Sequence, residues 1–154
     1  MKPSFALLYN SYPTKAKMER DVLYEKLGWS DLKNNPAFHN TCAVRVSVAL
    51  NSAGVPVAGW LKIKDGPLKG KNVEPSQAKL SKWLKRKWGQ PEVFRNDKYV
   101  MSGVGNRTGV ISFWGIDNSA QGHIDLIKPD GQGYHDCALA CHFATREIWF
   151  WPLL

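Results

Sequence analysis

His39-Asn40-Thr41-Cys42-Ala43-Val44-Arg45-Val46-Ser47-Val48-Ala49-Leu50-Asn51-Ser52-Ala53-Gly54 is the stretch on which the fold turns, because its apolar residues obey two periods at once. Positions 42, 44, 46, 48 and 50 alternate as in a half-buried strand. Positions 42, 46, 49, 50 and 53 instead form a helical stripe. Three observations favour the helix. Asn40 or Thr41 stands where an N-cap belongs, Ala43, Ala49 and Ala53 suit a helix, and Gly54 sits at the C′ position. The run is also long for a strand. A helix beginning at Cys42 is therefore expected.

Working outward, residues 14 to 27 carry Met18, Val22, Leu23 and Leu27 at roughly helical spacing, with Gly28 as a stop, and 34–36 reads as loop. Glu74-Pro75-Ser76 opens a second strong helix, with Pro75 in its first turn, Leu80, Trp83 and Leu84 facing inward and Gly89 beyond its end. The second half changes character. Thr108 to Trp114, Gly122 to Ile127 and Glu147 to Trp151 are rich in β-branched and aromatic residues and read as strands. Lys128-Pro129-Asp130-Gly131 is a strong turn signal. Helices first and strands later predict an α+β domain, with helices packed on an antiparallel sheet.

The chain has 154 residues, about one domain's worth, and no repeat, linker or low-complexity tract divides it, so residues 1–154 are expected to form one domain. Hydrophobic residues at 44% and charged residues at 22% exclude wholesale disorder. No apolar stretch reaches the roughly 20 residues of a membrane span, and no export signal is expected at the start. The net charge of +8 favours polyanionic partners such as nucleic acid, a membrane surface or the bacterial cell wall. Its densest basic stretch, Lys69 to Lys87, is interleaved with Trp83 and Trp88. This reads better as the solvated face of an amphipathic helix than as a stacking platform.

A cysteine at a helix N-terminus is chemically notable, because first-turn N–H groups and the helix dipole favour thiolate over thiol. His123, heading a short strand after Gly122, supplies a general base for such a nucleophile. An orienting third residue is expected on the segment that returns beside that strand, where His135 and Asp136 lie. Asp125, on the same strand and with the same facing as His123, ranks below them. His39, just before the cysteine helix, is placed to line its mouth. Cys137 and Cys141, at i and i+4, are close enough for a local bridge or stand as two reduced thiols. With His142 they supply potential metal ligands, but no second cluster completes a zinc set, and there is no phosphate loop. Neither a metal nor another cofactor is expected.

These residues resemble a known family. The string His39 to Gly54 is similar to the nucleophile helix of the fourth group of type VI secretion amidase effectors, which are small papain-like, NlpC-type peptidoglycan hydrolases. Trp83-Leu84-Lys85-Arg86-Lys87-Trp88-Gly89-Gln90-Pro91 resembles that group's helix ending in Gly-x-Pro. Gly109-Val110-Ile111-Ser112-Phe113, followed by Ala120-Gln121-Gly122-His123-Ile124-Asp125-Leu126, resembles its Gly-His strand, and Glu147 to Pro152 its terminal strand. The resemblance implies a papain-like, NlpC-type fold and a Cys-His-Asp amidase cutting the γ-D-glutamyl–meso-diaminopimelate bond of peptidoglycan stems. Cys42 would be the nucleophile and His123 the base. The family's aspartate lies between its two cysteines, where this chain has Ala138-Leu139-Ala140, so the role passes to Asp136 or to His135. The resemblance further implies a disulfide between Cys137 and Cys141, delivery by the type VI needle from the producer's cytoplasm to the periplasm of a target bacterium, and a cognate immunity protein.

The expected mechanism is acyl transfer to Cys42 through a thioester. Backbone N–H groups near Cys42, its own among them, would hold the oxyanion. His39 and Trp114 are the expected substrate contacts. Nucleic acid is not the expected partner. The alternatives are a basic, Trp-rich binding module for glycan or nucleic acid, and a hydrolase of murein cross-links.

Overall fold

The computed structural model describes residues 2–95, 103–115, 122–128 and 145–154. Its elements run α1 (Phe5–Asn10), α2 (Arg20–Lys26), α3 (Cys42–Ser52), β1 (Leu61–Lys62), β2 (Asn72–Val73), α4 (Gln77–Trp88), β3 (Glu92–Phe94), β4 (Gly109–Trp114), β5 (His123–Ile127) and β6 (Glu147–Pro152), with 3-10 turns at Ser30–Leu32 and Pro36–Phe38. Helices precede the main sheet, and the class is α+β as expected.

The central helix α3 starts and ends where its sequence places it. Its C-terminus closes with two bonds, Val55 N–H to Leu50 O at 2.9 Å and Gly54 N–H to Asn51 O at 3.1 Å. Gly54 adopts φ 84°, the left-handed conformation that this cap requires. Every residue from Cys42 to Asn51 is buried. One stripe, Cys42, Ala43, Val46, Ala49 and Leu50, joins the main core with Leu80, Leu84, Val110, Ile124, Leu126 and Trp151. Another stripe, Val44 and Val48, joins a second core with Leu23, Tyr24, Trp29, Ile63 and Val73. The strand-like alternation of the sequence is thus the imprint of two cores served by different faces of one helix.

Four strands form an antiparallel sheet in the order β3-β6-β4-β5, and β1 and β2 form a separate ribbon. In the β4–β5 pair Phe113 lies opposite His123 and Ile111 opposite Asp125. Ile124 and Leu126, of the other parity, pack into the core shared with α3. Helix α4 is capped by Ser76, whose Oγ accepts from Lys79 N–H at 3.3 Å, so Pro75 precedes the cap instead of entering the first turn. Leu80, Leu84 and Trp88 turn inward, Trp83 packs against the same core, and Lys79, Lys82, Lys85, Arg86 and Lys87 are exposed. The solvated-face reading of the basic stretch therefore holds.

The helix expected over residues 14 to 27 begins only at Arg20. Residues 14 to 18 form a turn on Thr14, and the Met18 carbonyl, which a longer helix would use internally, accepts instead from Arg45 Nη1 at 2.6 Å. Helix α1, the β1–β2 ribbon and β3 carry no clear sequence signal. No helix of the described residues is long and apolar enough to cross a membrane.

Candidate active site

Cys42 is the first residue of α3, and its position is fixed by the residue two before it. Asn40 Oδ1 accepts from Cys42 N–H at 3.1 Å, while Asn40 Nδ2 donates to Gly122 O at 3.4 Å. One side chain thereby ties the start of α3 to the residue preceding His123. Thr41, the formal cap, makes no capping bond and accepts from Arg45 Nε at 2.8 Å. Cys42 is almost fully buried, at 4% exposure. Its N–H, expected among the oxyanion donors, is already engaged by Asn40.

His123 opens β5 and lies over Phe113, with ring centroids 5.9 Å apart and planes 24° from parallel. The glycine before it answers a packing demand. A Cβ on Gly122 would fall 2.2 Å from Gln77 Oε1 and 2.5 Å from Phe113 O, and the second of these atoms is backbone. Gln77 itself is fixed by Nε2 donating to Ser112 Oγ at 2.7 Å. Strand β5 is therefore drawn hard against β4 and the start of α4, and His123 has little freedom.

Because His123 and Asp125 share a face of β5, the carboxylate reaches the ring, with Nε2 and Oδ2 3.0 Å apart. Asp125 is fully buried, and its Oδ1 accepts from Tyr12 Oη–H at 2.5 Å and from Leu126 N–H at 2.8 Å. Cys42, at the start of α3, acts on the same imidazole through its side chain and its charge. With Nε2 on the carboxylate, Nδ1 is the nitrogen left for sulfur. Burial works against a charged ring here, yet the bonds to Asp125 and to Cys42 outweigh it. Together they push the His123 pKa up from 6.5 to about 10. A ring that keeps its proton beside a carboxylate and a sulfur is an imidazolium placed to stabilise negative charge on its neighbours.

The structure thus brings Cys42 and His123 together and places Asp125 third in line. Asp136 and its alternative His135 lie outside the described residues, as do Cys137 and Cys141. His39 is exposed in the segment leading into α3. Trp114 ends β4, its ring tilted over Trp149 at 4.6 Å. Asp125 is visible in the sequence as sharing the facing of His123. Tyr12, 113 residues away along the chain, carries no such signal. Beside the pair, Ala37, Asn40, Pro75, Ser76, Gln77 and Gly122 line a cleft of about 180 Å³. Among the described residues no group of three or more His, Cys, Asp or Glu side chains forms a metal site.

Known proteins share this architecture. The crystal structure of the type VI effector Tae4 from Enterobacter cloacae superimposes with a TM-score of 0.80 at 21% identity, covering 100% of this chain and 98% of that one. The Tae4–Tai4 effector–immunity complex from Salmonella Typhimurium gives 0.75 at 22% identity, with both chains covered in full. The fold is accordingly the papain-like, NlpC-type one. No curated protein sequence matches the chain. The family model described as type VI secretion system (T6SS), amidase effector protein 4, Tae4, matches residues 38–151, a span that holds both Cys42 and His123, and the chain belongs to that family.

Proposed function

We propose that the protein is an antibacterial cysteine amidase that hydrolyses peptidoglycan stem peptides, at the γ-D-glutamyl–meso-diaminopimelate bond, in the periplasm of a target cell. The observation that carries this reading is the buried chain Cys42–His123–Asp125, opening beside a cleft in a member of an amidase effector family. The Cys42 thiolate attacks the amide carbonyl carbon, and the oxyanion takes N–H donors of the first turn of α3. The amide of Asn40, held to Gly122 only at 3.4 Å, adds a further donor there. His123 passes its Nδ1 proton to the leaving nitrogen as the C–N bond breaks, leaving a thioester on Cys42. Acylation removes the sulfur charge that helps hold this proton, so the ring, once it has protonated the leaving amine, stays neutral and its free nitrogen takes a proton from water. Hydroxide attack and C–S cleavage then release the acid and restore the ion pair.

Asp125 orients the ring in this scheme, the part for which the sequence offers Asp136 or His135. His39 and Trp114 are proposed substrate contacts. The type VI needle carries the protein out of the producer, Cys137 and Cys141 pair in the recipient's oxidising periplasm, and a cognate immunity protein seals the cleft. Purified sacculi should release muropeptides with wild type and none with Cys42→Ala. Mass spectrometry of the products separates stem cleavage from cross-link cleavage. Equal release by both proteins would refute the assignment. Comparing Asp125→Asn with Asp136→Asn decides the third residue: the orienting aspartate is the one whose loss lowers kcat by roughly two to four orders of magnitude.

A further inference from the structure

We infer that Tyr12 is a positioning residue for the amidase reaction, acting on His123 through Asp125 from an N-terminal arm that lies outside the span matching the family. This rests on the cysteine-amidase reading above. Tyr12 is 1% exposed, and its hydroxyl donates to Asp125 Oδ1 at 2.5 Å while Oδ2 of the same carboxylate holds His123 Nε2. Each carboxylate oxygen thus has a defined partner, with Oδ1 shared between the phenol and Leu126 N–H, and rotation of the Asp125 side chain would break all three contacts. A carboxylate free to turn would let the imidazole swing from the thiol, so the phenol fixes the ring at one remove.

The arm is itself locked to the helix that carries the nucleophile. Arg45, one turn after Cys42 and 1% exposed, donates from Nη1 to Pro13 O at 2.8 Å and to Met18 O at 2.6 Å. Its Nε donates to Thr41 Oγ1, next to Cys42. On the other side of Tyr12, α1 buries Leu8 in the main core, and Phe5 N–H donates to Leu154 O at 2.8 Å. Contacts therefore run in a closed circuit from Cys42 to His123, Asp125, Tyr12, Pro13, Arg45, Thr41 and back to Cys42. The family match begins at residue 38, so the Tyr12–Pro13 link of this circuit is supplied from outside it.

Tyr12→Phe removes one oxygen atom and keeps the ring. With a soluble stem peptide as substrate, this variant should lower kcat about tenfold, the scale of one hydrogen bond to a charged group, and leave KM within about twofold. The decisive arm is a double-mutant cycle. If Tyr12 acts through Asp125, adding Tyr12→Phe to Asp125→Asn costs little more activity, whereas a general packing role gives additive losses. Thermal melting of each variant is the control, and the retained ring preserves the packing around residue 12. Unchanged kcat in Tyr12→Phe, or additivity in the cycle, would overturn the inference while Cys42→Ala remains inactive. A wild type that releases nothing, or a Cys42→Ala variant that works, would instead overturn the underlying reading.

Discussion

His123 is a nearly buried imidazole whose proton is held by a carboxylate on one side and a sulfur on the other, and the balance has a measurable sign. Its folded pKa of about 10 lies above the unfolded value of 6.5. Its contribution to stability is therefore whole below pH 6.5 and is lost as pH rises through about 10. Denaturant midpoints should fall across that window, and His123→Gln should flatten the fall. The ring faces Cys42 from α3, Asp125 from its own strand and Phe113 from β4, with Tyr12 behind Asp125. Removing the carboxylate charge in Asp125→Asn should bring the NMR titration of the ring down, the change being read in the imidazole carbon-bound proton shifts. A titration unaltered by the substitution would detach Asp125 from the site. At this scale the sequence points to the proposed nucleophile and base, because a cysteine after an Asn-Thr pair and a histidine heading a strand are local signals. It ranks Asp125 low because triad logic looks for the third member on another segment. Two residues of one strand face alike, and that short spacing is what lets the carboxylate reach the ring.

Helix α3 shows how a buried element is held in register by its few polar residues. Ser47 Oγ donates to Glu74 O and accepts from Glu74 N–H, and Asn51 Nδ2 donates to Asn72 O at 2.8 Å. With Arg45 they bind the helix to the ribbon, to the approach to α4 and to the N-terminal arm. The helix is legible from its caps, whereas its apolar pattern misleads, since two buried faces superpose into a false alternation. The expected helix over 14 to 27 fails for a tertiary reason, a distant guanidinium claiming a carbonyl, which no local pattern reveals. The junction of β5 with α4 gives the next prediction. Gly122→Ala puts a methyl group against Gln77 Oε1 and the Phe113 carbonyl. The side chain can move but the strand backbone cannot, so the variant should lose about 1–3 kcal/mol of stability in urea titrations. It should also lose activity beyond that, because His123 is the next residue. Wild-type stability and rate would show that β5 has slack that the packing denies.

Across the whole molecule, the buried charge of Arg45 and the exposed charge of α4 make opposite predictions. Arg45 Nη1 and Nε satisfy two carbonyls and a hydroxyl on separate segments. Arg45→Met strands those acceptors in the interior and should cost about 3 kcal/mol or more in chemical denaturation, with salt changing it little. The basic residues of α4 are exposed, and those of its last turn, Lys85, Arg86 and Lys87, also complement the helix dipole. Single substitutions there should shift stability by less than about 1 kcal/mol. Their effect belongs to encounter with an insoluble polyanion. A chain of net charge +8 approaching the carboxylates of a sacculus is attracted over distances that salt shortens, the screening length being about 10 Å at 0.1 M. Raising salt from about 0.05 to 0.5 M should slow hydrolysis of intact sacculi several-fold and leave kcat on a soluble stem peptide unchanged. The double variant Lys82→Glu, Arg86→Glu should reproduce the loss at low salt without altering peptide turnover, because neither residue touches the Cys42–His123 pair. Parallel losses on both substrates would place the effect in the active site and remove the exposed face of α4 from substrate capture.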